Sequence, residues 1–184
     1  MSAAIPGGVF SEYSMDLAAY IRDIPDFPKP GIQFKDITPL LANPAAFQEA
    51  IRRLVEHYQD CKIDAVAAAE ARGFLFAAPL ALLLSKPLVP LRKPGKLPYT
   101  THKLQYDLEY GSAELHVHID GFDRGAQVLL VDDLLATGGT LDAACKLIEQ
   151  AGAKVASCAV LVELSFLKGR DRMQPHEVFA LLRY

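Results

Sequence analysis

Two adjacent carboxylates and a turn of small residues carry the clearest chemistry in this sequence. Asp132 and Asp133 follow an apolar, strand-like run at residues 128–131, and residues 136–140 precede a helix-like segment. Because this turn has little side-chain bulk, backbone N–H groups at the helix start are open to an anion, which predicts a phosphate site. Carboxylates beside a phosphate indicate a polyhydroxyl group or a hydrated Mg²⁺ between them, since two anions in direct contact repel each other. The phosphate turn, as we call it, consists of Ala136, Thr137, Gly138, Gly139 and Thr140.

A plainer interpretation of the phosphate turn is a glycine-rich link between a strand and a helix. A Gly-Gly pair alone would favour that interpretation, but the acidic pair in front of it favours an anion site. The turn lacks the Gly-Lys-Ser/Thr ending of a nucleotide-hydrolysing loop, and the chain has no G-x-G-x-x-G motif at this place. Neither an ATPase nor a dehydrogenase is therefore favoured.

The elements that must hold these residues are predicted by the pattern around them. Leu141, Ala144 and Ile148 recur at helical spacing, Gly152 gives a stop signal, and a strand-like run follows at residues 155–164. Strand, turn, helix and strand in about 40 residues form a βαβ unit. A second unit has a strand at 65–69, a turn at 70–73, a helix at 74–84 and a strand at 87–91, and a further helix runs from Asn43 to about Cys61. We therefore predict an α/β fold with an open parallel sheet and helices on both of its faces.

The stretch between the two units has a different character. Residues 94–98 contain two prolines and a glycine, and residues 113–119 then alternate between apolar and polar side chains, as expected of a half-exposed strand. We predict a hairpin-like flap that emerges from the α/β core. His116 and His118 share one strand face, but without a third ligand we interpret them as solvated. The chain shows no repeat and no low-complexity linker, so we predict a single domain over residues 1–184.

Composition excludes several classes of protein. The chain has 184 residues, of which 51% are hydrophobic and 22% charged, with 19 basic against 22 acidic side chains. This is too apolar for a disordered chain and too balanced for an electrostatic binder of nucleic acid or of membranes. Uncharged stretches are shorter than the roughly 20 residues of a membrane-spanning helix. Three scattered cysteines, without a signal-like segment at the start, lead us to expect reduced thiols in a cytoplasmic protein, with no disulfide and no zinc site.

Several segments together resemble a known family. Residues 128–140, Val-Leu-Leu-Val-Asp-Asp-Leu-Leu-Ala-Thr-Gly-Gly-Thr, are similar to the phosphoribosyl pyrophosphate (PRPP) motif of type I phosphoribosyltransferases. Segments 26–37, 70–74, 92–98 and 106–111 are similar, in order, to those of adenine phosphoribosyltransferases. The resemblance covers residues 16–168. It implies the type I phosphoribosyltransferase fold, with an N-terminal helical hood at about 12–40 and a flexible catalytic flap at about 94–120.

The resemblance also implies an activity. Members of this family of pentosyltransferases join adenine to PRPP in purine salvage, giving AMP and pyrophosphate, with Mg²⁺ bound mainly through PRPP and usually as homodimers. The phosphate turn would then hold the 5'-phosphate, and Asp132 and Asp133 the ribose hydroxyls. The residues implied for pyrophosphate are Glu70, Ala71, Arg72, Arg92, Lys93 and Lys96. A strained or cis peptide between Glu70 and Ala71 is a further family expectation.

Adenine recognition and proton transfer are likewise assigned by resemblance. Phe34 would stack on the purine with Leu164 on the opposite face, while backbone groups of Gln33 and Lys35 read its edge. On sequence alone, a core position is favoured for Phe34, and the resemblance reverses that preference. Many relatives have Arg at position 35, and a Lys cannot make the planar bidentate contact of an Arg. Pro94 likewise stands where a second Arg is common, so the basic cluster has one charge fewer.

Glu109 would accept the proton that adenine loses from N9, although an isolated Glu there would be interpreted as a solvated flap residue. The flap with Tyr110 would close over the substrates and exclude water. The loop at residues 167–172 resembles the family's loop after a strand and is interpreted as a surface turn.

Two rival functions share these signals. A hypoxanthine, guanine or xanthine phosphoribosyltransferase would use the same phosphate machinery, but the segments around Phe34 and Glu109 argue against it. A purine-sensing regulator could keep the fold and bind PRPP without turnover. Such a regulator is expected to carry a DNA-binding module, for which we find no segment, and the net charge of -3 also argues against it.

Overall fold

The computed structural model describes residues 15–107 and 111–184. These residues fall into two compact units, the first ending at Glu49 and the second running from Ala50 to Tyr184. The prediction of a single domain over residues 1–184 stays a prediction. Glu109 and Tyr110 lie outside the described residues.

The first unit contains short elements stabilised by side-chain caps. A 3-10 turn spans Leu17–Tyr20, and strands β1 (Arg22–Ile24) and β2 (Phe34–Asp36) form an antiparallel pair. Helix α1 (Thr38–Ala42) follows β2 directly, where the Asp36 carboxylate accepts a hydrogen bond from the Thr38 N–H at 2.9 Å. Helix α2 (Pro44–Tyr58) begins after Asn43, whose side-chain oxygen accepts from the Ala46 N–H at 3.0 Å. Short polar side chains thus satisfy the open N–H groups at these element starts.

The second unit is built on a five-stranded parallel sheet. Its strands lie in the order β4-β3-β7-β8-β9, and every neighbouring pair is parallel. The strands of this unit are β3 (Ala65–Ala69), β4 (Leu88–Leu91), β5 (Thr101–Asp107), β6 (Ser112–His118), β7 (Gln127–Leu135), β8 (Lys154–Glu163) and β9 (Val178–Arg183). Its further helices are α3 (Gly73–Leu83), α4 (Gly139–Gln150) and α5 (Gly169–Arg172). The predicted open parallel sheet and both βαβ units are confirmed.

The connections explain why helices cover both faces of the sheet. Helix α3 joins β3 to β4 toward one edge, whereas α4 joins β7 to β8 toward the other. Since such crossovers are right-handed, connections that run in opposite directions place their helices on opposite faces. All five residues of β3 are buried, as expected for a strand covered on both sides.

Strands β5 and β6 form the predicted hairpin. They pair antiparallel from Thr101 opposite His118 to Asp107 opposite Ser112. Leu115 and Val117 are buried in the same apolar cluster as Leu141 and Ile148 of α4, so the apolar face of β6 belongs to the core of this unit. The predicted alternation of β6 is confirmed.

In the described part of the chain, none of the helices is both long and apolar enough to cross a membrane.

Candidate active site

The carboxyl ends of β3 and β7 place the phosphate turn, both carboxylates and Arg72 in one cavity. These strands are parallel neighbours, so the turn after β3 and the turn after β7 emerge at the same edge of the sheet. The cavity there has a volume of about 410 Å³. Its lining residues are Arg72, Asp132, Asp133, Leu134, Ala136, Thr137, Gly138, Gly139, Thr140, Leu141 and Arg172. Residues distant in sequence, and all five residues of the phosphate turn, are thus brought together.

The phosphate turn leads directly into a long helix. Gly138 is the N-terminal cap of the 12-residue helix α4, and its φ of 84° lies in the left-handed region, which favours glycine. A Cβ atom on Gly138 would also lie only 2.8 Å from the carbonyl oxygen of Gly169. The conformation and the space both require glycine there, and the N–H groups at the start of α4 remain available to an anion.

The two carboxylates have different partners. Asp133 is 4% exposed, and its Oδ2 lies 3.0 Å from Nε of Arg72. Asp132 accepts a hydrogen bond from the Asp133 N–H through Oδ1 at 2.9 Å. Burial raises the pKa of Asp132, and the charge of Asp133 raises it further. Burial also raises the pKa of Asp133, against the opposing effect of Arg72. The site therefore holds two acids whose ionised forms gain from a partner that supplies hydrogen bonds or positive charge.

The start of α3 lies directly over these acids. A Cβ atom on Gly73 would lie 2.9 Å from the carbonyl oxygen of Val131 and 3.0 Å from Oδ1 of Asp132. A larger residue at this position would push the turn away from β7. Gly73 therefore allows the Arg72 turn, which we define as residues 70–73, to approach the carboxylates closely.

The Arg72 turn is also tied to the basic segment after β4. The peptide bond between Glu70 and Ala71 is cis, as the resemblance led us to expect. The Glu70 carboxylate accepts from Nε of Arg92 and, at 3.0 Å, from the backbone N–H of Lys93. Although burial opposes it, these hydrogen bonds hold the pKa of Glu70 below its ordinary value. Glu70 thus orients basic residues, and Lys96 follows them as an exposed residue.

His116 connects the hairpin to this basic segment, so the interpretation of His116 as solvated is wrong. Its backbone exchanges two hydrogen bonds with that of Arg92, at 2.9 and 2.7 Å. Its ring contacts the Glu114 carboxylate through Nε2 and lies 3.1 Å from the Thr101 hydroxyl through Nδ1. Each ring nitrogen therefore has a partner within the hairpin. Among the described residues, no group of three or more His, Cys, Asp or Glu side chains could hold a metal ion.

The residues predicted for adenine are divided between the two units. In the first unit, the ring of Phe34 contacts that of Phe27 edge to face, with centroids 5.1 Å apart, and Gln33 is exposed. Lys35 forms an ion pair with Asp23 at 2.5 Å. In the second unit, Leu164 is buried just beyond the end of β8, and its N–H donates to the Leu135 carbonyl at 2.9 Å. Their roles toward adenine stay predictions.

Sequence reasoning missed Arg172 as a residue of the site. The loop at 167–172 is interpreted as a surface turn, and Arg172 at its end is indeed exposed, but it also lines the cavity beside the phosphate turn. No local pattern marks this arginine. The available signal was its position after β8, since that loop leaves the sheet at the same edge as the phosphate turn.

Comparisons with known proteins agree with this geometry. Residues 36–181 match the family model described as "Phosphoribosyl transferase domain". The chain is 58% identical to the adenine phosphoribosyltransferase of Chloroflexus aurantiacus over 92% of this chain and 98% of that protein. It is 56% identical to the enzyme of Methylococcus capsulatus, over 91% of this chain and 98% of that protein.

Solved structures show the same similarity. The crystal structure of adenine phosphoribosyltransferase from Thermoanaerobacter pseudethanolicus has a TM-score of 0.88 at 49% identity and covers 91% of this chain and 98% of that one. The Saccharomyces cerevisiae enzyme, solved with an imino-altritol bisphosphate and adenine, has a TM-score of 0.86 at 40% identity. It covers 92% of this chain and 98% of that one.

Proposed function

This chain belongs to the phosphoribosyltransferase family and, within it, to the adenine phosphoribosyltransferases, and on this premise we propose how its own residues carry out the reaction. The enzyme transfers the 5-phosphoribosyl group of PRPP to N9 of adenine and gives AMP and pyrophosphate, a purine salvage reaction. The observation that carries the residue assignment is the cavity of about 410 Å³, because the phosphate turn, two carboxylates and Arg72 all line it.

In our proposal, the phosphate turn binds the 5'-phosphate of PRPP. The N–H groups at the start of α4 donate to the phosphate oxygens, and the hydroxyls of Thr137 and Thr140 add further donors. Asp132 and Asp133 accept hydrogen bonds from the ribose hydroxyls, which supply the partners that these buried acids need. The ribose is thereby fixed at both its phosphate and its hydroxyls, which orients C1' for attack.

The Arg72 turn receives the pyrophosphate that leaves C1'. Breaking this bond develops negative charge on pyrophosphate and oxocarbenium character on the ribose. Arg72 and the neighbouring Arg92, Lys93 and Lys96 stabilise the first of these charges. Glu70 and Ala71 shape the turn, and the Glu70 carboxylate holds Arg92 and the Lys93 backbone in place before substrate binds.

Adenine binding and proton transfer complete the proposal. Phe34 and Leu164 enclose the purine ring, and the backbone of Gln33 and Lys35 reads its edge. Glu109 accepts the N9 proton as the new bond to C1' forms. Tyr110 belongs to the flap that excludes water. The support for these roles is the match of the surrounding segments to the adenine-type pattern.

We also propose that Mg²⁺ enters with PRPP. Within residues 15–107 and 111–184, no group of three or more His, Cys, Asp or Glu side chains could hold a metal ion, and in our proposal most of the ligands of the ion come from PRPP. Asp132 and Asp133 are oxygen ligands of the type that Mg²⁺ prefers, and they line the cavity where water-mediated contacts fit. When bound, the ion would neutralise charge on the pyrophosphate group.

A homodimer is supported by an apolar surface on α3. This helix has no charged residue, and Leu75, Leu82 and Leu83 are exposed by 44%, 78% and 50%. Leu88 of the edge strand β4 is also exposed. An exposed apolar surface of this kind favours a contact with a second copy of the chain. The basic segment that begins at Arg92 follows β4, so part of it would act near such an interface.

Light scattering tests the dimer directly. We expect about twice the chain mass of 20.1 kDa for the wild type, and half of that for Leu82→Glu, which places a charge on the apolar surface. Asp171→Asn, an exposed change elsewhere on the unit, is the control and should leave the mass unchanged. A monomeric, fully active wild type would contradict the proposed dimer.

We further propose that the enzyme works in the cytoplasm. All three cysteines are free thiols, and Cys145 and Cys158 are buried with their sulfurs 3.7 Å apart. Thiols in this arrangement suit a reducing compartment.

The experiment for the proposed reaction follows both products. With adenine, PRPP and Mg²⁺, the enzyme should form AMP and pyrophosphate in equal amounts, and removal of divalent cations with EDTA should abolish turnover until Mg²⁺ is restored. Full turnover in EDTA would contradict the proposed role of Mg²⁺. Consumption of PRPP without formation of AMP would contradict the proposed transfer mechanism.

A further inference from the structure

Helix α5 and the phosphate turn are packed against each other with no space for an additional atom. A Cβ atom on Gly169 would lie 2.1 Å from the carbonyl oxygen of Ala136. A Cβ atom on Gly138 would lie 2.8 Å from the carbonyl oxygen of Gly169 and 3.4 Å from Cβ of Arg172. The segment that follows β8 is therefore an outer wall of the phosphate cavity.

An ion pair between Arg170 and the buried carboxylate of Glu163 fixes this wall to the sheet. Arg170 of α5 donates to both carboxylate oxygens of Glu163, at 3.0 and 2.5 Å, and also to the Val178 carbonyl at 2.7 Å. Glu163 is the last residue of β8 and is 5% exposed. The Arg170 guanidinium holds the pKa of Glu163 below its ordinary value. Because a bidentate pair of this kind restrains both partners, the backbone of α5 is held beside the phosphate turn.

Arg172 extends from this fixed backbone to the cavity. Its Nε lies 3.1 Å from Oδ2 of Asp142, and its side chain is 46% exposed. Asp142 stands in the first turn of α4, next to the phosphate turn, and also pairs with Lys146 at 3.0 Å. Of these two cations, Arg172 lines the cavity, whereas Lys146 is not among its lining residues.

The negative charge of Asp142 bears on how a phosphate could bind beside it. Asp142 follows the phosphate turn by two residues, and its carboxylate would by itself repel a bound phosphate. A cation between the two groups offsets this repulsion. A guanidinium has five N–H donors, and the contact with Asp142 is made through Nε. The terminal nitrogens of Arg172 can therefore turn toward phosphate oxygens while Asp142 keeps the group in position.

We propose that Arg172, whose Nε contacts Asp142, is an additional binding residue for the 5'-phosphate. This inference rests on the proposed function, in which the phosphate turn receives that phosphate. It adds a side-chain cation to a subsite that is otherwise made of backbone N–H groups and hydroxyls. In this arrangement, Arg172 binds the 5'-phosphate of PRPP, whereas Arg72 binds its pyrophosphate group.

The test compares two ligands by calorimetry in the presence of Mg²⁺. Ribose 5-phosphate carries only the phosphate that Arg172 contacts, and pyrophosphate carries only the group at the Arg72 turn. We expect Arg172→Ala to raise the Kd for ribose 5-phosphate by about 10- to 100-fold, the effect of losing a charged hydrogen bond, and to leave pyrophosphate binding unchanged. Arg172→Lys should recover part of the loss. Lys146→Ala, which removes the other cation on Asp142, is the matched control and should bind both ligands like the wild type.

The outcomes separate this inference from the proposed function. Unchanged ribose 5-phosphate binding in Arg172→Ala, or an equal loss for both ligands, would overturn the role of Arg172. An equal loss of ribose 5-phosphate affinity in Lys146→Ala would also overturn it, because the loss would then follow from the removal of any nearby positive charge. If the wild type bound ribose 5-phosphate through Arg172 but formed no AMP, the proposed function would fail and this inference would stand. A wild type that does not bind ribose 5-phosphate would overturn the inference whatever its activity.

Discussion

The phosphate turn and the Arg72 turn lie at the same edge of the sheet but differ in how they meet an anion. The phosphate turn offers N–H groups at the start of α4, and its shape requires glycine at position 138, where a Cβ atom would clash. The Arg72 turn and the basic segment after β4 offer guanidinium groups that are held by carboxylates, with Arg72 on Asp133 and Arg92 on Glu70. The phosphate end of the cavity is built on backbone geometry, to which the proposed contact of Arg172 adds one cation, whereas the other end depends on paired charge throughout.

This difference suits the 5'-phosphate and the pyrophosphate, which have different fates in the proposed reaction. The 5'-phosphate stays attached to the ribose throughout, so a rigid site that binds it equally at every stage positions C1' for the reaction. Pyrophosphate leaves, and the charge it gains in the transition state is better met by cations. The two ends can therefore be altered separately, and the following changes are arranged from the largest expected effect to the smallest.

Glu109 is proposed to move a proton and to bind neither anion. Glu109→Gln keeps the shape of the side chain but cannot accept the N9 proton, so kcat should fall by about 10² to 10⁴ while binding of ribose 5-phosphate and of pyrophosphate is unchanged. Steady-state kinetics together with calorimetry measures both quantities. A turnover number within about threefold of the wild type, below the usual range for such groups, would remove Glu109 from the mechanism.

Gly138→Ala is expected to change the backbone geometry of the phosphate turn. The new Cβ atom would lie 2.8 Å from the Gly169 carbonyl at a φ of 84°, so the turn must shift. We expect kcat/KM for PRPP to fall about 10²-fold, as displacements near 1 Å do, with pyrophosphate binding retained. Gly152→Ala is the matched control, since Gly152 has a φ of 88° but no atom within 4 Å of the added Cβ. Equal losses of kcat/KM in both variants would mean that backbone strain alone, and not the shape of the phosphate turn, is responsible.

Arg72→Ala removes the cation that pairs with Asp133 at the proposed pyrophosphate end of the cavity. Because a charged hydrogen bond is lost, the Kd for pyrophosphate should rise by about 10- to 100-fold. Ribose 5-phosphate should be affected much less, the reverse of the result expected for Arg172→Ala. Arg124→Ala removes an exposed cation outside the cavity and serves as the control. A larger loss for ribose 5-phosphate than for pyrophosphate would contradict the separation of the two ends.

Thermal unfolding gives the smallest and subtlest contrast, between two carboxylates. The pKa of Glu70 is lowered by Arg92 and the Lys93 N–H, so the ionised Glu70 stabilises the fold above the ordinary carboxyl pKa, and this contribution is lost as pH falls through the lowered value. The pKa of Asp132 is raised by burial and by Asp133, so its ionisation destabilises the fold as pH rises from the ordinary value through the raised one.

Glu70→Gln and Asp132→Asn should therefore shift Tm in opposite directions at neutral pH. We expect a decrease for the first and an increase for the second, each of about 2 to 4 °C, which corresponds to roughly 1 kcal/mol in a domain of this size. Both differences should vanish in acid, below the pKa range of each carboxylate. Shifts of the same sign at neutral pH would contradict the assigned electrostatics. The more stable Asp132→Asn should still bind PRPP less tightly, since it lacks a ribose-binding carboxylate.

The phosphate turn could be predicted from sequence because its signals are local. A strand, an acidic pair, two glycines and a helix start follow one another within residues 128–141, and the structure keeps them in that order. The hairpin was predicted for the same reason, from the alternation of residues 113–119.

The pairings between distant residues could not be predicted in this way. Arg72 reaches Asp133 because β3 and β7 are parallel neighbours, although the two residues are far apart in sequence. Arg172 reaches the phosphate turn because β8 ends beside β7 and because Arg170 is anchored on Glu163. Strand β9 was not predicted at all, since its pairing with β8 depends on this same long-range arrangement. The roles of Phe34 and Glu109 are predicted from the family resemblance alone, because no spacing of residues in the sequence indicates them.

The most direct measurement for the whole account is the base specificity of the wild-type enzyme with saturating PRPP and Mg²⁺. The kcat/KM values for adenine, hypoxanthine, guanine and orotate can be compared spectrophotometrically on one preparation. The account predicts rapid formation of AMP from adenine and poor turnover of the other three bases. Equal turnover of hypoxanthine and adenine would contradict the adenine assignment and would leave the fold and the phosphate site intact.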